Sequence, residues 1–208
     1  MLKKYFVAIV ILFLGYAQAD EKKWFGELGW SALPSSIAGT YESKDTSNLN
    51  GVENKWEAMN KFYGEIGYTF LLENDSKLLT SVGVAFLMTD SPVSHATFFT
   101  KASLLYPVFV NGLAVNVGPK VKIVVPFNSS YEDKDDGIYT RKVEYDTNVA
   151  FALGIEAVWG EEDVQFVTGV EYLTSSNYKG SVTDNAGYAN STMNLNGVYL
   201  NLGVRFRF

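Results

Sequence analysis

From Gly197 to Phe208 the chain alternates without a slip. Val198, Leu200, Leu202, Val204, Phe206 and Phe208 fall on one side, and Gly197, Tyr199, Asn201, Gly203, Arg205 and Arg207 on the other. Successive side chains of a strand point to opposite faces, so such a segment asks for an apolar environment on one side and a polar one on the other. The same period of two recurs along most of the chain, and helical periodicity is nearly absent after residue 20. The alternation predicts eight strands, at about 24–32, 62–72, 78–88, 97–106, 113–125, 143–159, 164–174 and 197–208. The expected class is therefore all-β.

The links between these strands set the topology. The links 73–77, 107–112 and 160–163 are short and carry turn residues, among them Asn74-Asp75-Ser76 and Asn111-Gly112. The links 33–61, 126–142 and 175–196 are long, polar and rich in Ser, Asn, Asp and Gly. An even number of strands with short turns at one end and long loops at the other is the layout of an antiparallel up-and-down transmembrane barrel.

Met1–Ala19 is a separate matter. Lys3 and Lys4 precede the apolar run from Tyr5 to Leu14, and Ala17-Gln18-Ala19 gives a small-x-small cleavage site before Asp20. This is the pattern of a secretory signal peptide, and the run is too short to span a bilayer as a helix. The expected division is a signal peptide over 1–19, cleaved after Ala19, and a barrel domain over 20–208. Loss of Lys3 and Lys4 takes the formal charge from −6 to −8.

Which face of the barrel is apolar decides between a membrane protein and a soluble ligand carrier. Strand glycines such as Gly29, Gly67, Gly83, Gly118, Gly154, Gly169 and Gly203 lie on the charged face. A narrow eight-stranded interior needs small residues there. Aromatic residues recur on the apolar face near strand ends. Trp24, Tyr106, Trp159 and Phe208 fall at the short-turn end, and Trp30, Phe62, Phe98, Tyr145 and Tyr172 at the other. Rings with polar edges favour a membrane interface. The apolar face is thus expected to point outward into lipid. Trp24, Trp30, Tyr106, Tyr145, Trp159 and Tyr172 would form its aromatic belt.

The inward charges would then be Glu27, Glu65, Glu144, Asp146, Glu156 and Glu171 against Lys101, Lys120, Lys122, Arg205 and Arg207. Unpaired charges in a poorly hydrated interior are costly, so a paired, plugged lumen is expected rather than an ion pathway. Glu27 should meet Arg205 where the first and last strands close the barrel. Glu65, Lys101, Lys120 and Glu171 should cluster at mid-depth, with Lys122 and Asp146 as neighbours nearer the outside.

Other chemistry is thinly represented. With no cysteine and one histidine, disulfides and multi-histidine metal sites are excluded. Seventeen basic against 23 acidic residues leave no footprint for nucleic acid. His95 has Ser94 and Asp90 near it in sequence, but it is expected as an exposed loop residue and not as the base of a hydrolase. Glu144 and Asp146 as a carboxylate pair of a protease are better explained by lumen pairing. Asp133-Lys134-Asp135-Asp136-Gly137 departs from calcium-loop spacing by one residue and lacks the closing glutamate. Neither an enzyme nor a cofactor is expected.

From Trp24 to Phe208 the chain resembles the small eight-stranded outer-membrane barrels, the superfamily of the OmpA membrane domain, OmpX and the OmpW-like barrels. The terminal strand from Val198 to Phe208, ending on Phe206 and Phe208, resembles that superfamily's assembly signal. The resemblance implies a Gram-negative outer membrane with both termini in the periplasm, and contact with outer-membrane lipid and lipopolysaccharide. It further implies handling by the secretion apparatus and the barrel-assembly machinery. No periplasmic domain is expected after Phe208. The implied roles are envelope integrity, surface interaction or adhesion through the long loops and an unidentified outer partner, or alternatively an OmpW-like conduit for small or apolar solutes.

Overall fold

Valine, isoleucine, phenylalanine and tyrosine at alternate positions fit a pleated surface buried on one side, and they dictate the backbone here. The computed structural model describes residues 23–33, 37–43, 53–56, 59–88, 93–135, 139–174, 177–184 and 187–208. Residues 1–22, including Ala17 and Ala19, lie outside them.

Eight antiparallel strands close into a barrel. They are β1 (Trp24–Leu33), β4 (Met59–Leu71), β5 (Lys77–Met88), β6 (Val93–Val110), β7 (Leu113–Asp135), β9 (Ala150–Gly160), β10 (Val164–Thr174) and β13 (Gly197–Arg207). Neighbours run β1–β4–β5–β6–β7–β9–β10–β13, and β13 returns to β1 through Phe25↔Arg207 to Ala32↔Leu200. A closed ladder leaves no edge in this part of the sheet.

Five further strands stand at the loop end. They are β2 (Ile37–Ser43), β3 (Glu53–Trp56), β8 (Tyr139–Tyr145), β11 (Asn177–Asp184) and β12 (Gly187–Asn194). They pair in the order β3–β2–β12–β11–β8, and β8 joins the upper part of β7. The long links therefore carry strand structure where the alternation predicts loops. Polar residues on both faces of these segments erase the apolar–polar alternation that would have announced strands.

At the other end the turns are tight. Asn111 and Gly112, with φ of 51° and 82°, form the two-residue link between β6 and β7. Asn-Gly suits the type I′ turn because both positions need positive φ. Glu73–Asp75 form a short 3₁₀ turn, closed by the Leu72 amide donating to the Ser76 carbonyl at 2.8 Å. The β6–β7 hairpin overshoots β5 here, leaving Val108, Phe109, Val110 and Leu113 exposed.

The faces sort as an inverted globule. Leu28, Trp30, Phe62, Ile66, Phe98, Val121, Phe151, Leu153, Ile155, Phe166, Leu200, Leu202 and Phe206 are exposed on the outside. Glu27, Glu65, Lys101, Lys120, Glu156, Glu171 and Arg205 are buried inside. Exposed apolar surface of this extent is stable against lipid and not against water. The molecule is a membrane barrel. Among the described residues no helix is long and apolar enough to cross a bilayer; the crossing is made by strands.

One expected strand is broken. The stretch 146–149 is not strand, and the faces swap across it. Val143 and Tyr145 are buried, Glu144 and Asp146 are exposed, and from Ala150 onward even-numbered residues point inward. Asp146 and Asn148 are of types depleted in strands, and the Asp146 amide donates to the Lys179 carbonyl at 2.7 Å. The facing strand is irregular at the same height. Pro126 has no amide hydrogen to give, and the β6–β7 register shifts between Ala96 and Thr97 so that Phe127 is passed over. The β7 ladder runs with β9 through Val124↔Ala150 and resumes with β8 at Ser130↔Glu144. Between them it is interrupted.

Candidate functional site

Inward parity on seven strands delivers the interior charges, and the ladder register sets their height. Glu27 lies opposite Arg205 across β1–β13 and opposite Glu65 across β1–β4. Arg205 donates to Glu27 Oε2 from Nε at 3.0 Å and from Nη2 at 2.8 Å. Its Nη2 also reaches Glu156 Oε1 at 3.1 Å. Lys101 Nζ completes the group, 2.6 Å from Glu65, 3.0 Å from Glu156 and 3.9 Å from Glu27. Three carboxylates thus share two cations in one network. Tyr63 Oη donates to Glu27 Oε1 at 2.9 Å, and the Arg205 guanidinium lies 4.4 Å from the centre of the Phe25 ring.

A second group sits beside it. Lys120 and Lys122 hold the two oxygens of Glu171 at 2.8 and 2.9 Å. Lys122 and Lys101 are direct neighbours across β6–β7. Their like charges are tolerated because each turns to a different carboxylate. Lys122 Nζ also stands 4.8 Å from the centre of the Phe99 ring.

Glycine makes this packing possible. An added Cβ at Gly29 would clash with Cζ and Oη of Tyr63, and one at Gly203 would lie 2.9 Å from Tyr63 Oη and 3.2 Å from Glu27 Oε1. Neither position has space for a side chain while Tyr63 holds Glu27.

Several residues take places other than those read from the sequence. Glu144 and Asp146 are exposed and stand outside the interior set, because the break at 146–149 reverses their strand. Tyr145 is buried for the same reason and does not belong to an outer aromatic belt. Lys122 neighbours Glu171 and not Asp146. The expected mid-depth cluster divides in two, Glu65 with Lys101 and Lys120 with Glu171. Arg207 is half-buried at the short-turn end, where it lines a small cavity with Lys77, Asn116, Gln165 and Arg205.

His95 is the clearest correction. It lies on β6, 3% exposed, with Nδ1 2.6 Å from Ser129 Oγ and its ring 5.5 Å from that of Tyr178. β6 carries it inward in step with Thr97, Phe99 and Lys101, and the bulge at Phe127 on β7 turns Ser129 inward to meet it.

On the outer surface Trp30, Tyr106 and Tyr172 are exposed. Trp24 is half-buried in an edge-on contact with Tyr68 at 5.2 Å, and Trp159 stacks on Phe166 at 6.2 Å. Phe206 and Phe208 are exposed beside them, and the Phe208 amide donates to the Trp24 carbonyl at 3.0 Å.

Sequence reading missed Lys61. The alternation places it in the link 33–61, yet β4 begins at Met59 and carries Lys61 inward in step with Tyr63 and Glu65. Its Nζ is 3.5 Å from Tyr199 Oη and 4.5 Å from the centre of that ring. Extending the alternation of β4 two residues back would have found it. Around it, Tyr63, Phe99, Val143, Tyr145, Leu173, Tyr178, Met193, Leu195 and Tyr199 form one buried apolar cluster. The interior therefore has two storeys, ion-paired below and mainly apolar toward the loop end. Among the described residues no group of acids and histidines could hold a metal.

No family model matches the chain, and no curated protein matches it. Solved structures do. The outer membrane protein OprG from Pseudomonas aeruginosa aligns over 91% of this chain and 99% of its own, at 10% identity and a TM-score of 0.53. AlkL, solved in lipid bilayers, aligns over 92% of each chain at 14% identity with a TM-score of 0.48. Neisserial surface protein A aligns over 92% of this chain and 100% of its own, at 12% identity and 0.46. Together with the closed ladder and the apolar exterior, the OprG match gives the fold: the chain is a small eight-stranded antiparallel β-barrel of the outer-membrane type.

Proposed function

We propose that this protein is a non-enzymatic integral barrel of a Gram-negative outer membrane, with both termini in the periplasm and the β2–β3–β8–β11–β12 sheet outside. Residues 1–19 act as the signal peptide, and Phe206 and Phe208 present the assembly signal. The barrel holds the outer strands and links as a platform for envelope integrity, surface interaction or adhesion. The observation that carries this reading is the pair of charge networks from Arg205 to Glu65 and from Lys120 to Lys122, which bridge the interior from β1 to β10. Paired charges in an eight-stranded barrel fill the bore instead of lining a pore. The His95–Ser129 contact has no described carboxylate to orient the imidazole, and a mutually satisfied buried pair explains it. The deciding experiment is planar-bilayer recording of refolded protein. We expect a silent bilayer; steady, reproducible openings would defeat the closed-lumen reading.

A second reading is a conduit for small apolar solutes that enter at the loop end and leave sideways. It is favoured by the interrupted ladder between β7 and the β8–β9 segment, which lies at the height of the apolar storey. Uptake of an apolar solute into liposomes that persists without ionic conductance would favour it.

A further inference from the structure

At the short-turn end the bore holds a small cavity of about 10 Å³, room for one water-sized body. Every barrel strand except β1 contributes to its lining, so it lies on the barrel axis and not in a side wall. Leu79, Leu105 and Val158, each at most 2% exposed, supply the apolar part. The polar part is Thr69, Lys77, Asn116, Gln165, Arg205 and Arg207. That is three cations, three neutral groups able to donate a hydrogen bond, and no acid.

The charges deeper in the bore do not balance this set. The buried acids Glu27, Glu65, Glu156 and Glu171 are ion-paired with Lys101, Lys120, Lys122 and Arg205, four against four. Lys61 stands at the other end, level with Ser31 and Leu87. Lys77 and Arg207 are half-buried, and among the described residues neither has a carboxylate within ion-pair distance. The acids that face them, Asp75 toward Lys77 and Glu162 toward Arg207, are exposed on the turns. Arg205 adds a buried donor to the lining. Its bonds to Glu27 and Glu156 use Nε and Nη2, and Nη1 enters none of them. Cations gathered beside apolar walls, where water screens them little, attract an anion strongly.

We propose that this cavity binds one chloride-sized anion, held between Lys77 on β5 and Arg207 on β13, with Arg205 behind it. The ion would accept hydrogen bonds from the two half-buried cations and from the amides of Asn116 and Gln165, and so clamp β5 to β13 across the mouth of the barrel. The volume selects against sulfate and phosphate, whose four oxygens need several times the space of one water. The inference rests on the barrel fold and not on the closed-lumen reading, which bilayer recording tests separately.

The test uses the mature chain refolded in dodecyl maltoside, with thermal unfolding followed by tryptophan fluorescence in sodium gluconate and in sodium chloride at equal ionic strength. At a chloride concentration about tenfold above the dissociation constant, chloride should raise the wild-type unfolding temperature by about 3–5 °C over gluconate. Lys77→Gln with Arg207→Gln should lose that shift, and Arg207→Lys, which keeps the charge, should retain it. A crystal soaked in sodium bromide should show an anomalous peak between Lys77, Arg205 and Arg207, a readout that needs no variant to fold. No chloride shift in wild type, an equal shift in the double variant, sulfate reproducing the shift through the same two residues, or no bromide peak in the cavity would each overturn the proposal. So would a chloride shift that appears only after Asp20→Asn with Glu21→Gln, which would give the cavity to the chain's own N-terminal acids.

Discussion

At the scale of single residues, Arg205 is the side chain on which most depends. It is 1% exposed and touches both Glu27 and Glu156. Arg205→Met keeps the bulk and removes the charge, leaving three carboxylates facing Lys101 alone. Breaking a buried pair from one side costs about 3–5 kcal/mol. Urea unfolding from lipid vesicles should show a loss of that order, and Arg205→Met with Glu27→Gln should recover part of it. If the single variant unfolds like wild type, the network does not stabilise the barrel. His95 and Ser129 should behave differently. Ser129→Ala is expected to cost about 1–3 kcal/mol by stranding a buried ring nitrogen, with lipid hydrolysis unaffected because none is expected in wild type. A phospholipid or lipid A hydrolysis assay in which wild type is active and His95→Ala is not would reverse the non-enzymatic reading.

At the scale of elements, two contrasts can be measured. Leu200 faces lipid from the middle of β13, where arginine should cost about 2–4 kcal/mol in vesicle unfolding. The same substitution at exposed Asp146, above the apolar band, should change stability by less than about 0.5 kcal/mol. Residues 146–149 interrupt a strand whose lower half is fully laddered to β7 and β10. The amides of Thr147 and Val149 should exchange with deuterium well before those of Ala150–Gly160, and equal protection would contradict the break. The eight barrel strands were legible because their period of two is read directly from residue type. The break was not, since Val143, Tyr145, Thr147, Val149 and Phe151 continue the alternation by name while the backbone changes face beneath them. Lys61 escaped notice through the same reliance on type, a charged residue at a strand end being taken for loop. The β2, β3, β11 and β12 strands were invisible because polar side chains on both faces leave no period to read.

At the scale of the whole molecule, an apolar exterior over a charged interior means that the protein needs lipid or detergent to hold its fold. Unheated, it should run at a different gel position from the boiled protein, and mature chain that stays folded and monodisperse in plain buffer would contradict the membrane reading. The length of β7 adds a mechanical point. Its 23 residues run without interruption from the Asn111-Gly112 turn, past β9, to the outer β8 pairing. At about 3.3 Å per residue it is roughly 75 Å of continuous ribbon, longer than a tilted strand needs for a hydrocarbon layer of about 25 Å. Tension applied to the crown by anything gripping it from outside would travel down this one ribbon into the wall. The barrel would then serve as an anchor, and the short hairpin β2–β3 should tear away before the stave does.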